Sequence, residues 1–127
     1  MANRRLYQFH AAYEAQTVKL WMNVAIGSSG APTLTDNENK GIASITRNST
    51  GNYTIDLVDS FNRLLAAQMV SLSASTAAAP EMTVLDDSSS DSTAPSIQIE
   101  TSSGGIATDP GSGEVLLIEL TMKNSSV

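Results

Sequence analysis

Ile42-Ala43-Ser44-Ile45-Thr46-Arg47 runs into Asn48-Ser49-Thr50-Gly51 and leaves through Asn52-Tyr53-Thr54-Ile55-Asp56-Leu57. In the second half Tyr53, Ile55 and Leu57 fall on one side of an extended chain, and Thr54 and Asp56 fall on the other. That period of two is the mark of a half-buried strand. The Asn/Ser/Thr/Gly group between the runs predicts a hairpin loop, with Gly51 supplying a positive φ that a residue bearing a Cβ adopts only at a cost.

The same alternation recurs on both sides of this hairpin. From Thr17 to Ile26, the residues Val18, Leu20, Met22, Val24 and Ile26 oppose Lys19, Trp21, Asn23 and Ala25, and a last strand from Glu114 to Lys123 places Leu116, Ile118, Leu120 and Met122 on one face. Gly27-Ser28-Ser29-Gly30-Ala31-Pro32 and Asp36-Asn37-Glu38-Asn39-Lys40-Gly41 break the chain around a short Thr33 to Thr35 stretch. Ser60 to Leu65 predicts one helical turn capped by Asp59 or Ser60, after which a strand resumes over Ala66 to Ala74. Ala77-Ala78-Ala79 ends at Pro80 and reads as a loop. Met82 to Leu85 is a short strand, Asp86 to Pro95 a low-complexity Ser/Asp loop, Ile97 and Ile99 mark another strand, and Thr101 to Gly113 is a Gly/Ser-rich connection.

About seven short strands punctuated by turns predict an all-β fold, either a β-sandwich or a jelly-roll-like barrel. The expected organisation is an N-terminal arm over residues 1–16, extended or partly helical, followed by a single β domain over 17–127. The loops are long for so small a core, which predicts that some are ordered against neighbouring molecules.

Composition narrows the function. The chain has 127 residues, about one domain's worth. It has no cysteine, which excludes disulfides, thiol catalysis and thiolate zinc sites. The start, Met1-Ala2-Asn3-Arg4-Arg5, does not read as a signal peptide, and no apolar run approaches the ~20 residues of a membrane span. The expectation is a soluble protein with no membrane partner. A net charge of −6 argues against direct nucleic-acid binding. No basic residue lies between Arg63 and Lys123, while Glu81, Asp86, Asp87, Asp91, Glu100, Asp109, Glu114 and Glu119 do. Those acids form a solvated anionic face or a contact for a basic partner.

No constellation for catalysis emerges, and the expectation is a non-enzyme with no cofactor and no metal. His10 is the only histidine and stands in the irregular arm without a visible partner. Asp36 to Gly41 imitates the opening of a calcium loop, but Lys40 and Arg47 fall where ligands belong. Asp86, Asp87 and Asp91 offer oxygen donors to a hard cation, or form a solvated acidic tip. Glu119 alternates to the face opposite Ile118 and Leu120, exposed or paired with a cation on a neighbouring strand. The Gly27 to Gly30 and Gly104-Gly105 segments lack the helix and lysine of a phosphate cradle.

Arg4 and Arg5 with Tyr7, Phe9 and Tyr13 form the one basic-aromatic cluster. Lying along a neighbouring subunit, such an arm places aromatics in pockets and arginines on carboxylates; a terminus without fixed structure is the competing reading. These five residues and Trp21, on the second face of its strand, are the candidate protein-interface residues.

Lys40-Gly41-Ile42-Ala43-Ser44-Ile45-Thr46-Arg47, Gly51-Asn52-Tyr53-Thr54-Ile55-Asp56-Leu57, Asp59-Ser60-Phe61 and Leu64-Leu65 resemble small virion proteins of tailed bacteriophages. So do Thr108-Asp109-Pro110, Ser112-Gly113 and Lys123-Asn124-Ser125. The Gly-x-Tyr-x-Ile-x-Leu pattern is also similar to jelly-roll domains of the complement-C1q type. The resemblance covers residues 40–65 and 106–125. It implies a β-rich homotrimer at the capsid surface of a virion, made in the host bacterial cytoplasm: a head decoration (cement) protein bound to the major capsid protein. The alternative it leaves open is a tail- or fibre-associated module that binds host glycans.

Overall fold

The computed structural model describes residues 17–34, 40–72 and 80–124. These form nine strands: β1 (Thr17–Ile26), β2 (Pro32–Leu34), β3 (Ile42–Ser49), β4 (Asn52–Leu57), β5 (Arg63–Leu72), β6 (Glu81–Ser88), β7 (Ser96–Ser103), β8 (Ile106–Ala107) and β9 (Val115–Lys123). Two antiparallel sheets pack face to face, the first in the order β2-β1-β9-β5 and the second β3-β4-β7-β6, with β8 paired to the end of β7. The sheets do not close on one another, so the fold is a β-sandwich and not a barrel.

Period-two patterning builds the core directly. Leu20, Met22, Val24 and Ile26 of β1 and Leu116, Ile118, Leu120 and Met122 of β9 point inward from the first sheet. Tyr53, Ile55 and Leu57 of β4 and Ile97 and Ile99 of β7 meet them from the second. Each fully buried apolar side chain of this size stabilises the fold by roughly 1.5–3 kcal/mol relative to exposure. The last strand lies between the first and the fifth, so Lys123 pairs with both Thr17 and Arg63. The first sheet is therefore complete only when both ends of the described chain are in place.

The β3-β4 hairpin forms as its sequence predicts. Ser49 pairs with Asn52 across the turn, and Gly51 has φ 71°. A Cβ there would sit 2.5 Å from the Thr101 carbonyl oxygen, so both conformation and space require glycine.

Three local expectations are corrected. The helical turn over Ser60 to Leu65 does not form, because the backbone donors of this segment go to neighbouring segments and lead the chain extended into β5. Phe61 N–H donates to the Ser89 carbonyl (2.8 Å), Asn62 N–H to the Lys123 carbonyl (2.8 Å) and Leu64 N–H to the Asp87 carboxylate (2.8 Å). Phe61 is buried, and β5 already begins at Arg63 with an irregularity between Leu64 and Ala66. The Ser/Asp segment is shorter than expected, since Asp86, Asp87 and Ser88 pair with Gln98, Ile97 and Ser96 of β7. Thr101 to Gly113 is likewise not one irregular connection: β7 continues to Ser103 and turns through Gly104 and Gly105 (φ 58° and 79°) into β8. The arm, the Asp36 to Asn39 part of the calcium-loop imitation and the Ala77 to Ala79 loop lie outside the described residues.

Candidate protein-interaction surface

The outward side chains of the first sheet are ordered by strand register into rows, because residues directly opposite one another share a face. Lys19 and Thr121 lie in one row with Ala66; Trp21, Glu119 and Gln68 form the next. Asn23, Leu117 and Val70 follow, then Ala25, Val115 and Leu72.

Trp21 stands 60 % exposed in the middle row of this face, on β1 beyond the reach of β2. Its indole Nε1 donates to Glu119 Oε2 (3.1 Å), and Lys19 Nζ donates to the other carboxylate oxygen (2.7 Å). Hydrogen bonds from Lys19 first, and from Trp21 second, hold the Glu119 carboxyl below its ordinary pKa. The alternation that placed Glu119 opposite Ile118 thus meets a cation on the neighbouring strand. The indole is left with its one donor satisfied and its ring open.

Beyond Trp21 the face turns apolar. Val70 is 59 % exposed, Leu72 55 % and Leu117 37 %, and they are contiguous through register. Sequence reading did not single these out. The available signal was Leu116-Leu117-Ile118, where an apolar residue stands on the outward side of an otherwise alternating strand.

The outer face of the second sheet has the opposite character. Asn52, Thr54, Gln98 and Asn48 satisfy one another there: Asn48 Nδ2 donates to Asn52 Oδ1 (3.0 Å) and Thr54 Oγ1 (2.7 Å), and Gln98 Nε2 donates to Asn52 Oδ1 (2.9 Å). Its charged residues by register, Asp56, Glu81, Asp86 and Glu100, are all acidic. On the first sheet's outer face Lys19, Arg63 and Lys123 outnumber Glu119.

Asp109 is the best-connected acid among the described residues. Arg47 donates to it through Nε (2.9 Å) and a terminal nitrogen (2.7 Å), and Gly51 N–H adds a third bond (2.8 Å). The Tyr53 hydroxyl lies within reach of Asp109 Oδ1 (3.1 Å) and of the Gly30 carbonyl (3.0 Å), and its single proton serves one at a time. The Arg47 hydrogen bonds above all, with those from Gly51 and Tyr53, hold Asp109 at a pKa of about 2 against partial burial. With both oxygens committed, this carboxylate ties the hairpin turn to the β8-β9 connection and is built for structure.

Asp86, Asp87 and Asp91 are not brought together as ligands. Asp86 accepts from Ser88 Oγ (2.6 Å), Asp87 from the Leu64 and Ser89 N–H groups (2.8 and 3.1 Å), and Asp91 from the Thr93 and Ala94 N–H groups (2.7 and 3.1 Å). Among the described residues no group of three or more His, Cys, Asp or Glu is arranged to hold a metal ion. No helix among them is long and apolar enough to cross a membrane. Of the candidate interface residues, Trp21 is placed on the face described; Arg4, Arg5, Tyr7, Phe9 and Tyr13, with His10, lie outside the described residues. Comparison with family models, with curated proteins and with solved structures finds no match to this chain.

Proposed function

We propose that the protein is a non-catalytic structural component of a tailed-phage virion, a capsid decoration protein that binds the major capsid protein and stabilises the head. The observation that carries this reading is Trp21. A large aromatic side chain, exposed on a rigid sheet and steadied by the Glu119 acceptor, is pre-organised to enter a pocket on another subunit with little further loss of entropy. Because Nε1 keeps its hydrogen bond to Glu119, burying the ring on contact leaves no orphaned donor. The likeness of residues 40–65 and 106–125 to small phage virion proteins supplies the class of assembly. The mechanism is adhesive: many modest contacts, repeated by the symmetry of a shell, sum to strong retention.

The test is co-sedimentation of the purified protein with tailed-phage heads stripped of their decoration protein. Saturable binding is expected, with Trp21→Ala lowering apparent affinity at least about tenfold while far-UV circular dichroism stays unchanged. Equal occupancy by Trp21→Ala overturns the role of this face. Failure of the wild-type chain to bind heads, together with saturable hits on a glycan array, moves the protein to a tail or fibre.

A further inference from the structure

We infer that the N-terminal arm of this chain adds a further strand to the first sheet, with residues 4–10 running antiparallel along the open edge of β5. The inference stands apart from the virion reading and concerns the purified protein alone.

An edge strand presents unpaired backbone donors and acceptors, and folded proteins blunt such edges with short strands, proline, charge or bulges. The two sheets end in β2, β5, β3 and β6. β2 runs only from Pro32 to Leu34, β3 is irregular on both sides of its Ser44 to Arg47 pairing, and β6 is irregular beside Leu85 and carries Glu81, Asp86 and Asp87. β5 has no such protection: it pairs with β9 without interruption from Ala66 to Leu72, and no charged residue falls between Leu64 and Leu72.

Backbone direction follows from two bonds. Ile26 N–H donates to the Glu114 carbonyl and Asn62 N–H to the Lys123 carbonyl, so even-numbered residues along β9 turn their backbone groups to β1 and odd-numbered ones to β5. The β5 partners of those odd-numbered residues are Ala66, Gln68, Val70 and Leu72. Ala67, Met69 and Ser71 therefore aim their N–H and C=O groups out of the sheet, and no other segment among the described residues receives them.

The sandwich is open along the same flank. Val84 of β6 lies opposite Ile99 and so on the inner face, yet it is 36 % exposed. Glu114 is buried beside this edge: its Oε2 accepts from Ser71 Oγ (3.3 Å), and no cation pairs with it among the described residues. A buried carboxylate in that position is stabilised by a cation brought to it.

The arm meets these requirements in direction, reach and charge. It enters at Thr17, in the same row as Lys123 and Arg63. The added strand lies three strand spacings from β1, roughly 14 Å, which about five residues of extended chain span. Residues 12–16 make that crossing. Because β1 and β5 both start at this end of the sheet, the arm then lies antiparallel to β5, with Phe9, Tyr7 and Arg5 paired to Ala67, Met69 and Ser71. The two aromatics close the flank over Val84, Leu6 falls opposite Val70, and Arg5 comes beside Glu114.

Amide hydrogen exchange measured by NMR on the full chain tests this. The Ala67 and Met69 amides are expected to exchange at least about 100-fold more slowly than in an unstructured peptide. Tyr7→Pro, which removes a donor from the added strand and lies outside the sandwich, is expected to speed both at least about tenfold. Gln68 and Val70, which donate to β9, should keep their protection in that variant. Wild-type Ala67 and Met69 amides that exchange at unstructured rates overturn the inference. So does protection that Tyr7→Pro leaves intact, or protection that grows with protein concentration, because a chain's own arm is present at a fixed effective concentration.

Discussion

Asp109 binds Arg47 through both carboxylate oxygens across 62 residues of sequence, and the same carboxylate accepts the N–H of Gly51 in the turn that follows Arg47. One side chain therefore holds the tip of the β3-β4 hairpin against the segment that leads into the last strand. Replacing Asp109 with Asn removes the charge and leaves the donors of Arg47, Gly51 and Tyr53 under-satisfied. The melting temperature is expected to fall by roughly 5–10 °C in a calorimetric scan, with the strand signal in circular dichroism retained below the transition.

The same contact sets a pH dependence. Asp109 titrates at about 2 in the fold against an ordinary 3.8, so its folded pKa is depressed. Its contribution is complete above the ordinary value and is lost as pH falls through about 2. Asp87 is depressed too: partial burial opposes its ionisation, but hydrogen bonds from Ser89 and Leu64 outweigh that. Urea midpoints measured from pH 6 to pH 2 should fall most steeply below pH 4, and Asp109→Asn should flatten part of that fall.

Tyr53 gives the opposite sign at high pH. Burial first, and the hydrogen bond to Asp109 second, raise its phenol well above the ordinary 10.0, so the neutral form is the one the fold favours. The associated stability is present below the ordinary value and drains away as pH rises beyond it. Phenolate absorbance should show one tyrosine that ionises only when the protein unfolds, and Tyr53→Phe should remove that late step.

Neighbouring residues of β9 should behave oppositely. Ile118 is 1 % exposed and Leu117 37 %. Ile118→Ala is expected to cost about 2–5 kcal/mol of unfolding free energy. Leu117→Ala, on the outward face of the same strand, is expected to change it little.

Gly51→Ala tests the hairpin. The turn needs φ 71°, and a Cβ would lie 2.5 Å from Thr101 O and 2.8 Å from Thr108 N, both backbone atoms that cannot swing aside. Gly104 has a comparable φ of 58° but nothing within 4 Å of a built Cβ. Gly104→Ala should cost about 1 kcal/mol from backbone strain alone, and Gly51→Ala distinctly more, as read from denaturant midpoints.

Much of this architecture is legible in the sequence alone. Alternation along Thr17 to Ile26, Asn52 to Leu57 and the last strand is a property of the extended chain itself, because successive side chains point to opposite faces whatever the partner. The turn at Gly51 was legible for the same local reason. The segment from Ser60 to Leu65 was misread because a capped helical turn and a strand entry look alike until the acceptors for Phe61, Asn62 and Leu64 are known. Asp86 to Ser88 was misread because its pairing with β7 outweighs a composition that favours loops.

By itself, then, the sequence determined which side of β1, β4 and β9 is apolar, that Glu119 faces away from the core, and that the chain is built from β-strands. Only the tertiary structure decided that β9 lies between β1 and β5. That placement supplies Lys19 and Trp21 to Glu119 and aligns Leu117 with Val70. The division is physical: the face on which a side chain lies follows from backbone geometry over two residues, whereas its cross-strand neighbour follows from topology and register between segments about 50 to 100 residues apart.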